Sequence, residues 1–167
     1  PLINTSHKVE RRKLGNTDLE LPVISYGASS LGQEFRRVTI EEALRSCRVA
    51  LELGMNFIDT SPAYGRSEEF ICRFISGRRD EYHLATKCGR AQTGVPEGRH
   101  WSREAMIESI DASLQRLGTD HVDLLQLHGP SVEEAEAFDV VGTLEEIRLS
   151  GKTRFIGVSA VLPHITT

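Results

Sequence analysis

Short apolar runs alternate with amphipathic stretches along most of this chain. The opening VERRKLGNTDLELPVIS carries two short apolar–polar segments around the turn signal GNTD, which predicts a β-hairpin. An apolar run follows at VISYGA, residues 23–28. TIEEALRSCRVALELG then places Ile40, Ala43, Leu44, Cys47, Ala50 and Leu51 at helical spacing. Thr39 and Glu42 make a capping box at its start, and Gly54 is a stop signal at its end.

The same rhythm then repeats. NFIDTS predicts a strand followed by the helix SEEFICRFISGRR, and YHLATKCG a strand followed by the helix SREAMIESIDASLQRLG. DLLQLHG leads into a helical stretch within SVEEAEAFDVVGTLEEIRLSG, and RFIGVSA is the last strand. Ser102 caps the third helix, Ser131 and Glu134 form a second capping box, and Gly118 and Gly151 close two helices.

Strands alternating with helices of this length imply βαβ units and a parallel sheet. A dinucleotide-binding doubly wound sheet carries a glycine-rich turn after its first strand. Here that turn is YGASSLG, whose Gly27 and Gly32 do not make GxGxxG. The expectation is therefore an α/β chain of the (β/α)8 TIM-barrel type. About five of the eight βα units are present, preceded by the hairpin. Residues 1–167 read as one domain, incomplete at its C-terminal side. Two open sheet edges are then expected, and with them a missing half or a second copy as partner.

Composition narrows the function classes. Hydrophobic residues make up 39% and charged residues 26%, a globular balance with no apolar run of membrane-spanning length. A net charge of −4, and basic residues paired without interleaved aromatics, argue against nucleic-acid binding. Cys47, Cys72 and Cys88 are widely spaced and odd in number, which predicts reduced thiols in a cytoplasmic protein. The histidines have no metal-ligand spacing, so no metal is expected.

The strand ends carry the chemistry. With alternate residues facing one side, Phe57 and Asp59 share a face, as do His83, Ala85 and Lys87. Leu124, Gln126 and His128 form a third such row, and Phe155, Gly157 and Ser159 a fourth. Singly, each polar residue has a bland reading: a turn organiser at Asp59, a solvated end at Lys87, a boundary histidine at His128, loop packing at Tyr64. In a parallel barrel, however, all these ends converge on the mouth where active sites are built. They also make a chemical set. A tyrosine hydroxyl ordinarily ionises near pH 10, and a neighbouring ammonium favours its anion. Lys87 supplies such a charge, Asp59 pairs with Lys87, and His128 hydrogen-bonds an oxygen on which charge develops. That cluster suits proton donation to a carbonyl oxygen as hydride arrives at carbon. No nucleophile elbow and no carboxylate pair points to hydrolysis instead.

Through LGNTDLELPVISYG, GMNFIDTSPAYG, ATKCG, LQRLGTDHVDLLQLH and GKTRFIGVS, in that order, the chain resembles the aldo-keto reductase family over almost its whole length. The resemblance implies reduction of aldehydes, ketones or sugar carbonyls, or the reverse oxidation, with NADP as cofactor and NAD as the alternative. It places the family's catalytic tetrad on Asp59, Tyr64, Lys87 and His128, with Tyr64 the proton donor. It puts Gly27, Ala28, Ser29 and Asp59 near the cofactor, and Ser159 on the nicotinamide amide. Ala160 stands where the family usually has Asn, a loss of one hydrogen bond worth ~0.5–1.5 kcal/mol. Related subunits attached to potassium channels make a non-catalytic, cofactor-binding role the alternative, and an inactive truncated fragment is a third. The segment GRAQTGVPEGRHW (89–101) is either a substrate lid with Arg90 and Trp101 shaping the pocket, or an exposed loop with Trp101 packed at a helix start.

Overall fold

A computed structural model describes residues 9–32, 39–90 and 100–160. Its first element is the hairpin, strands β1 (Arg11–Lys13) and β2 (Glu20–Pro22), paired antiparallel. Five further strands follow: β3 (Tyr26–Gly27), β4 (Phe57–Asp59), β5 (His83–Cys88), β6 (Val122–His128) and β7 (Thr153–Ser159). Between them lie α1 (Ile40–Glu52), α2 (Ser67–Ile75), α3 (Arg103–Leu117), α4 (Val132–Ala137) and α5 (Val140–Leu149). Short 3-10 turns occupy Ser29–Gly32 and Ser76–Glu81.

Strands β3 to β7 form one parallel sheet whose spatial order equals their chain order. That order decides between the two architectures. A doubly wound sheet reverses direction at a switch point, whereas a barrel adds each strand beside the last. Right-handed crossovers in such a series put every helix on the same face. The described residues hold four βα units and a fifth strand in the order of such a barrel, and among them β3 and β7 have unpaired outer edges.

Strand alternation divides the side chains. Ile58, Leu84, Leu125 and Leu127 point towards the helices and are fully buried with Ile71, Met106, Ile110, Leu117 and Ile147. Burial of each such side chain contributes about 1.5–3 kcal/mol. The opposite, barrel-interior row is set by register: Gly27, Asp59, Ala85, Leu124 and Phe155 lie at one level. Lys87, Gln126 and Gly157 form the next level up, and His128 and Ser159 the one above.

The helix starts follow the capping chemistry. Both capping boxes form, Thr39 with Glu42 and Ser131 with Glu134, and the Ser102 hydroxyl accepts from the Ala105 N–H. Gly118 ends α3 at φ +64°, a left-handed conformation that favours glycine.

Three expectations are corrected. The apolar run at 23–28 is strand only at Tyr26 and Gly27, and Val23 and Ile24 are exposed. There the Val23 N–H still bonds the Glu10 carbonyl, so this stretch carries the chain out of the hairpin before it joins the sheet. The second helix is α-helical only to Ile75, because Ser76 and Gly77 are weak helix formers and the chain tightens into a 3-10 turn. The fourth helical stretch breaks at Asp139, the one non-glycine described residue with positive φ, whose side chain caps α5 through the Gly142 N–H.

The N-terminal ends of the strands are tied by ions. Asp123, at the start of β6, accepts from the Leu84 N–H, Arg79 and Arg154, each at 2.9 Å. Arg154 also reaches Asp18 in the hairpin turn, and Arg11 on β1 donates to Asn56 beside β4. The hairpin thus sits against this end of the sheet, with Leu19 buried beneath it.

Candidate active site

At the opposite end, the Lys87 ammonium donates to Asp59 Oδ2 at 2.6 Å and to the Thr60 carbonyl at 3.0 Å. Lys87 comes from the second interior level and Asp59 from the first, so the tilt of neighbouring strands lets a long side chain meet a short one. The lysine side chain is only 3% exposed, and a cation so buried needs these two acceptors. Tyr64 arrives from the loop after β4, its ring centroid 5.0 Å from Lys87 Nζ. His128 meets the Tyr64 ring edge-on, with centroids 5.8 Å apart and planes at 87°.

The four residues on which the resemblance puts the tetrad therefore lie together at one mouth. Burial first, and then the Lys87 and Arg90 cations, push the His128 imidazole down to about 4 against the pull of Asp59. His128 is neutral at physiological pH.

Two members of the cluster had no role in the sequence reading. Gln126 Nε2 donates to Asp59 Oδ1 at 2.9 Å, which occupies the carboxylate oxygen that Lys87 leaves open. The Ser61 hydroxyl lies 3.1 Å from His128 Nδ1 and also accepts the Ala63 N–H. Gln126 was legible as an interior-facing residue two places before His128. Ser61 lies past the strand, where no periodicity indicates a direction.

The loop bearing Tyr64 is held from below. Thr60 and Ser67 hydroxyls bond each other at 2.9 Å, and Ser67 Oγ donates to the Ala28 carbonyl at 2.8 Å. The Tyr64 N–H bonds the Ser61 carbonyl, and the Tyr64 carbonyl accepts the Ser67 N–H. Gly32 presses directly on this loop: a Cβ there would fall 1.5 Å from the Tyr64 carbonyl oxygen.

The residues expected near a cofactor divide by exposure. Gly27 is exposed, with open space where a Cβ would stand, and Ser29 is half-buried. Ala28 is fully buried, its N–H donating to the Asp59 carbonyl and its carbonyl accepting from Ser67. Ser159 and Ala160 are half-buried at the end of β7, Ser159 level with His128. Of the loop 89–101, residues 91–99 lie outside the described residues. Trp101 is buried in the core against Gly89, so it packs at the start of α3 rather than lining the mouth. Arg90 is exposed, its Nη1 3.4 Å from His128 Nε2. Among the described residues, no group of three or more potential metal ligands gathers, and no helix is long and apolar enough to cross a membrane.

Sequential βα units with Asp59, Lys87, Tyr64 and His128 gathered at the C-terminal strand ends define a fold of the (β/α)8-barrel type. The chain belongs to the aldo/keto reductase family, whose model matches residues 23–164. It is 38% identical over 167 residues to L-galactose dehydrogenase of Arabidopsis thaliana, covering 96% of this chain and 51% of that protein. It is 30% identical over 177 residues to D-threo-aldose 1-dehydrogenase of a Pseudomonas species, covering 89% of this chain and 53% of the relative. The aldo-keto reductase AKR11C1 from Bacillus halodurans, in its holo form, matches with a TM-score of 0.80 and 33% identity. That match covers 93% of this chain and 51% of the solved one. The chain spans about half the length of the curated relatives it matches.

Proposed function

We propose that this chain carries the reacting-centre side of an NAD(P)H-dependent aldo-keto reductase. The reaction is reversible hydride transfer between a nicotinamide and an aldehyde, ketone or sugar carbonyl, with Tyr64 as proton donor. The observation that carries the proposal is the convergence of Lys87, paired with Asp59, and His128 on the Tyr64 ring. The bound cofactor supplies or accepts the hydride. In reduction, Tyr64 gives its hydroxyl proton to the carbonyl oxygen as the carbonyl carbon gains hydride. In oxidation, the Tyr64 oxygen takes the proton of the alcohol. Lys87 stabilises the tyrosinate left in the first case, and Asp59 and the Thr60 carbonyl hold Lys87 in place. Neutral His128 offers an N–H to the same substrate oxygen.

The residues fit a nicotinamide cofactor. Gly27 has open space where a Cβ would stand, Ser29 is half-buried, and Ser159, level with His128 at the end of β7, is the proposed partner of the amide. Ala28 supports this wall from inside, and Ala160 brings no polar side-chain group to it. NADP is the proposed cofactor, with NAD as the alternative, and a small carbonyl or alcohol compound is the partner. The names of the galactose and aldose dehydrogenase relatives favour a sugar substrate.

The test is cofactor oxidation with a generic aldehyde, followed by absorbance, for the parent and Tyr64→Phe. Loss of a general acid costs roughly 10²–10⁴-fold in rate, so Tyr64→Phe should retain cofactor binding and lose turnover. A Tyr64→Phe protein working at the parental rate removes Tyr64 as donor. A parent that binds NADPH but turns over no carbonyl or alcohol favours the regulatory, non-catalytic role.

A further inference from the structure

Ser61 has no part in the chemistry described above, yet it is fully buried and touches the histidine of the cluster. We propose that Ser61 is a positioning residue: its hydroxyl donates to His128 Nδ1 and so fixes the imidazole proton on Nε2. The inference rests on the proposed function only for its catalytic consequence; the tautomer itself follows from hydrogen bonding.

A neutral imidazole has one N–H and one acceptor nitrogen. Ser61 Oγ already accepts the Ala63 N–H at 3.1 Å. Its own hydrogen is buried and needs an acceptor, and His128 Nδ1 at 3.1 Å is the one the described residues give it. If Nδ1 carried the proton instead, it would donate to Ser61. The serine hydrogen would then be left in the interior with no acceptor among the described residues.

Arg90 pulls the other way. A guanidinium only donates, so its Nη1 at 3.4 Å favours an unprotonated Nε2. The serine contact prevails because it is shorter and enclosed, while Arg90 is exposed and has water as an alternative partner. The outcome is two donors side by side, His128 Nε2–H and Arg90 Nη1, which one oxygen acceptor could take together. A carbonyl oxygen, with two lone pairs, is such an acceptor.

The experiment is a long-range proton–nitrogen correlation spectrum of the 15N-labelled chain near pH 7. It reads the tautomer directly and needs neither cofactor nor turnover, so failure of the proposed function does not decide it. The expected parent spectrum has a pyrrole-type Nε2 and a pyridine-type Nδ1 for His128. Ser61→Ala should move both nitrogens towards the averaged values of a tautomer mixture, Ser61→Thr should keep the parental pattern, and Arg90→Ala should leave it unchanged. If Ser61→Ala does not fold, the parent and Arg90→Ala spectra still decide the question. In turnover, Ser61→Ala should lower kcat roughly tenfold, the scale of one lost hydrogen bond, and Ser61→Thr should restore it. A parent with the proton on Nδ1, or a folded Ser61→Ala chain still wholly Nε2-protonated, overturns the proposal.

Discussion

Replacing Asp123 by Asn tests whether the charged network at the N-terminal ends of the strands holds the sheet together. The Asp123 side chain is 5% exposed and accepts from Arg79, Arg154 and the Leu84 N–H, each at 2.9 Å. Burial alone would raise its pKa. The Leu84 N–H, Arg79 and Arg154 outweigh burial and hold the carboxyl at about 2. A carboxyl depressed in the folded chain contributes stability that is present above its unfolded pKa of 3.8 and lost as pH falls through about 2. At 1.36 kcal/mol per pKa unit the contribution is at most ~2.5 kcal/mol, and the partial exposure of Arg154 reduces it towards ~2 kcal/mol. Asparagine keeps the volume and one oxygen for Leu84, but it turns an amide NH₂ towards guanidinium donors. Urea denaturation at pH 7 should show the variant about 2 kcal/mol less stable, the contribution of the ionised carboxylate. The gap should narrow below pH 4 and be about half gone by pH 3, because the unfolded parent takes up a proton at Asp123 in that window while the folded carboxylate stays ionised down to about 2. Other acidic groups titrate alike in both chains and cancel. A gap under ~0.5 kcal/mol at pH 7, or one that stays constant down to pH 3, refutes the reasoning.

With its pKa held at about 4, His128 should show no titration of its ring C–H resonances between pH 5.5 and 8, and a midpoint near 6.5 would contradict the burial and cation argument. Since the folded chain resists protonating His128, acidification from pH 6.5 towards 4 should weaken the fold, an effect visible in denaturation midpoints measured across that window. Gly32→Ala drives a Cβ into the Tyr64 carbonyl, and should cost about 1–3 kcal/mol in thermal or urea stability while displacing Tyr64; an unaltered melt would show that the two loops part freely. Cys88, fully buried and pushed up to about 12, and Cys47, buried and pushed up to about 11, should resist alkylation in the native chain while partly exposed Cys72 reacts first, as peptide mass spectrometry would read.

What was legible in the sequence follows physical periodicity. Period-two alternation placed Asp59, Lys87, Gln126, His128 and Ser159 on one face before any coordinates, because parallel pairing leaves a residue no other choice. The capping boxes at Thr39 and Ser131 were equally plain, since they satisfy backbone N–H groups with side chains a fixed three residues away. Illegible features depend on partners distant in the chain. The break at Asp139 needs an aspartate in a left-handed conformation, which composition alone does not require. Trp101 packs against Gly89, twelve positions earlier, and the Ser61–His128 contact spans 67 positions.

The hydrogen bonds around Asp59 limit its role in the proposed reaction. A carboxylate within reach of a substrate is ordinarily a candidate base, but here Oδ1 accepts from Gln126 and Oδ2 from Lys87. To take a proton, Asp59 would have to release one of these donors, and releasing Lys87 would leave a buried ammonium with the Thr60 carbonyl alone. Lys87 has three N–H groups, and Asp59 and Thr60 take two of them. The third is left beside the Tyr64 ring, whose centroid is 5.0 Å from Nζ. The carboxylate therefore sets the direction of the ammonium, which agrees with the proposed role of Tyr64 as the group that exchanges a proton with substrate. Asp59→Asn should then impair turnover through Lys87 rather than through a missing base. Rate measurements across pH should show lower kcat for Asp59→Asn with no acidic limb lost from the profile. Disappearance of an acidic limb would identify Asp59 as a base after all.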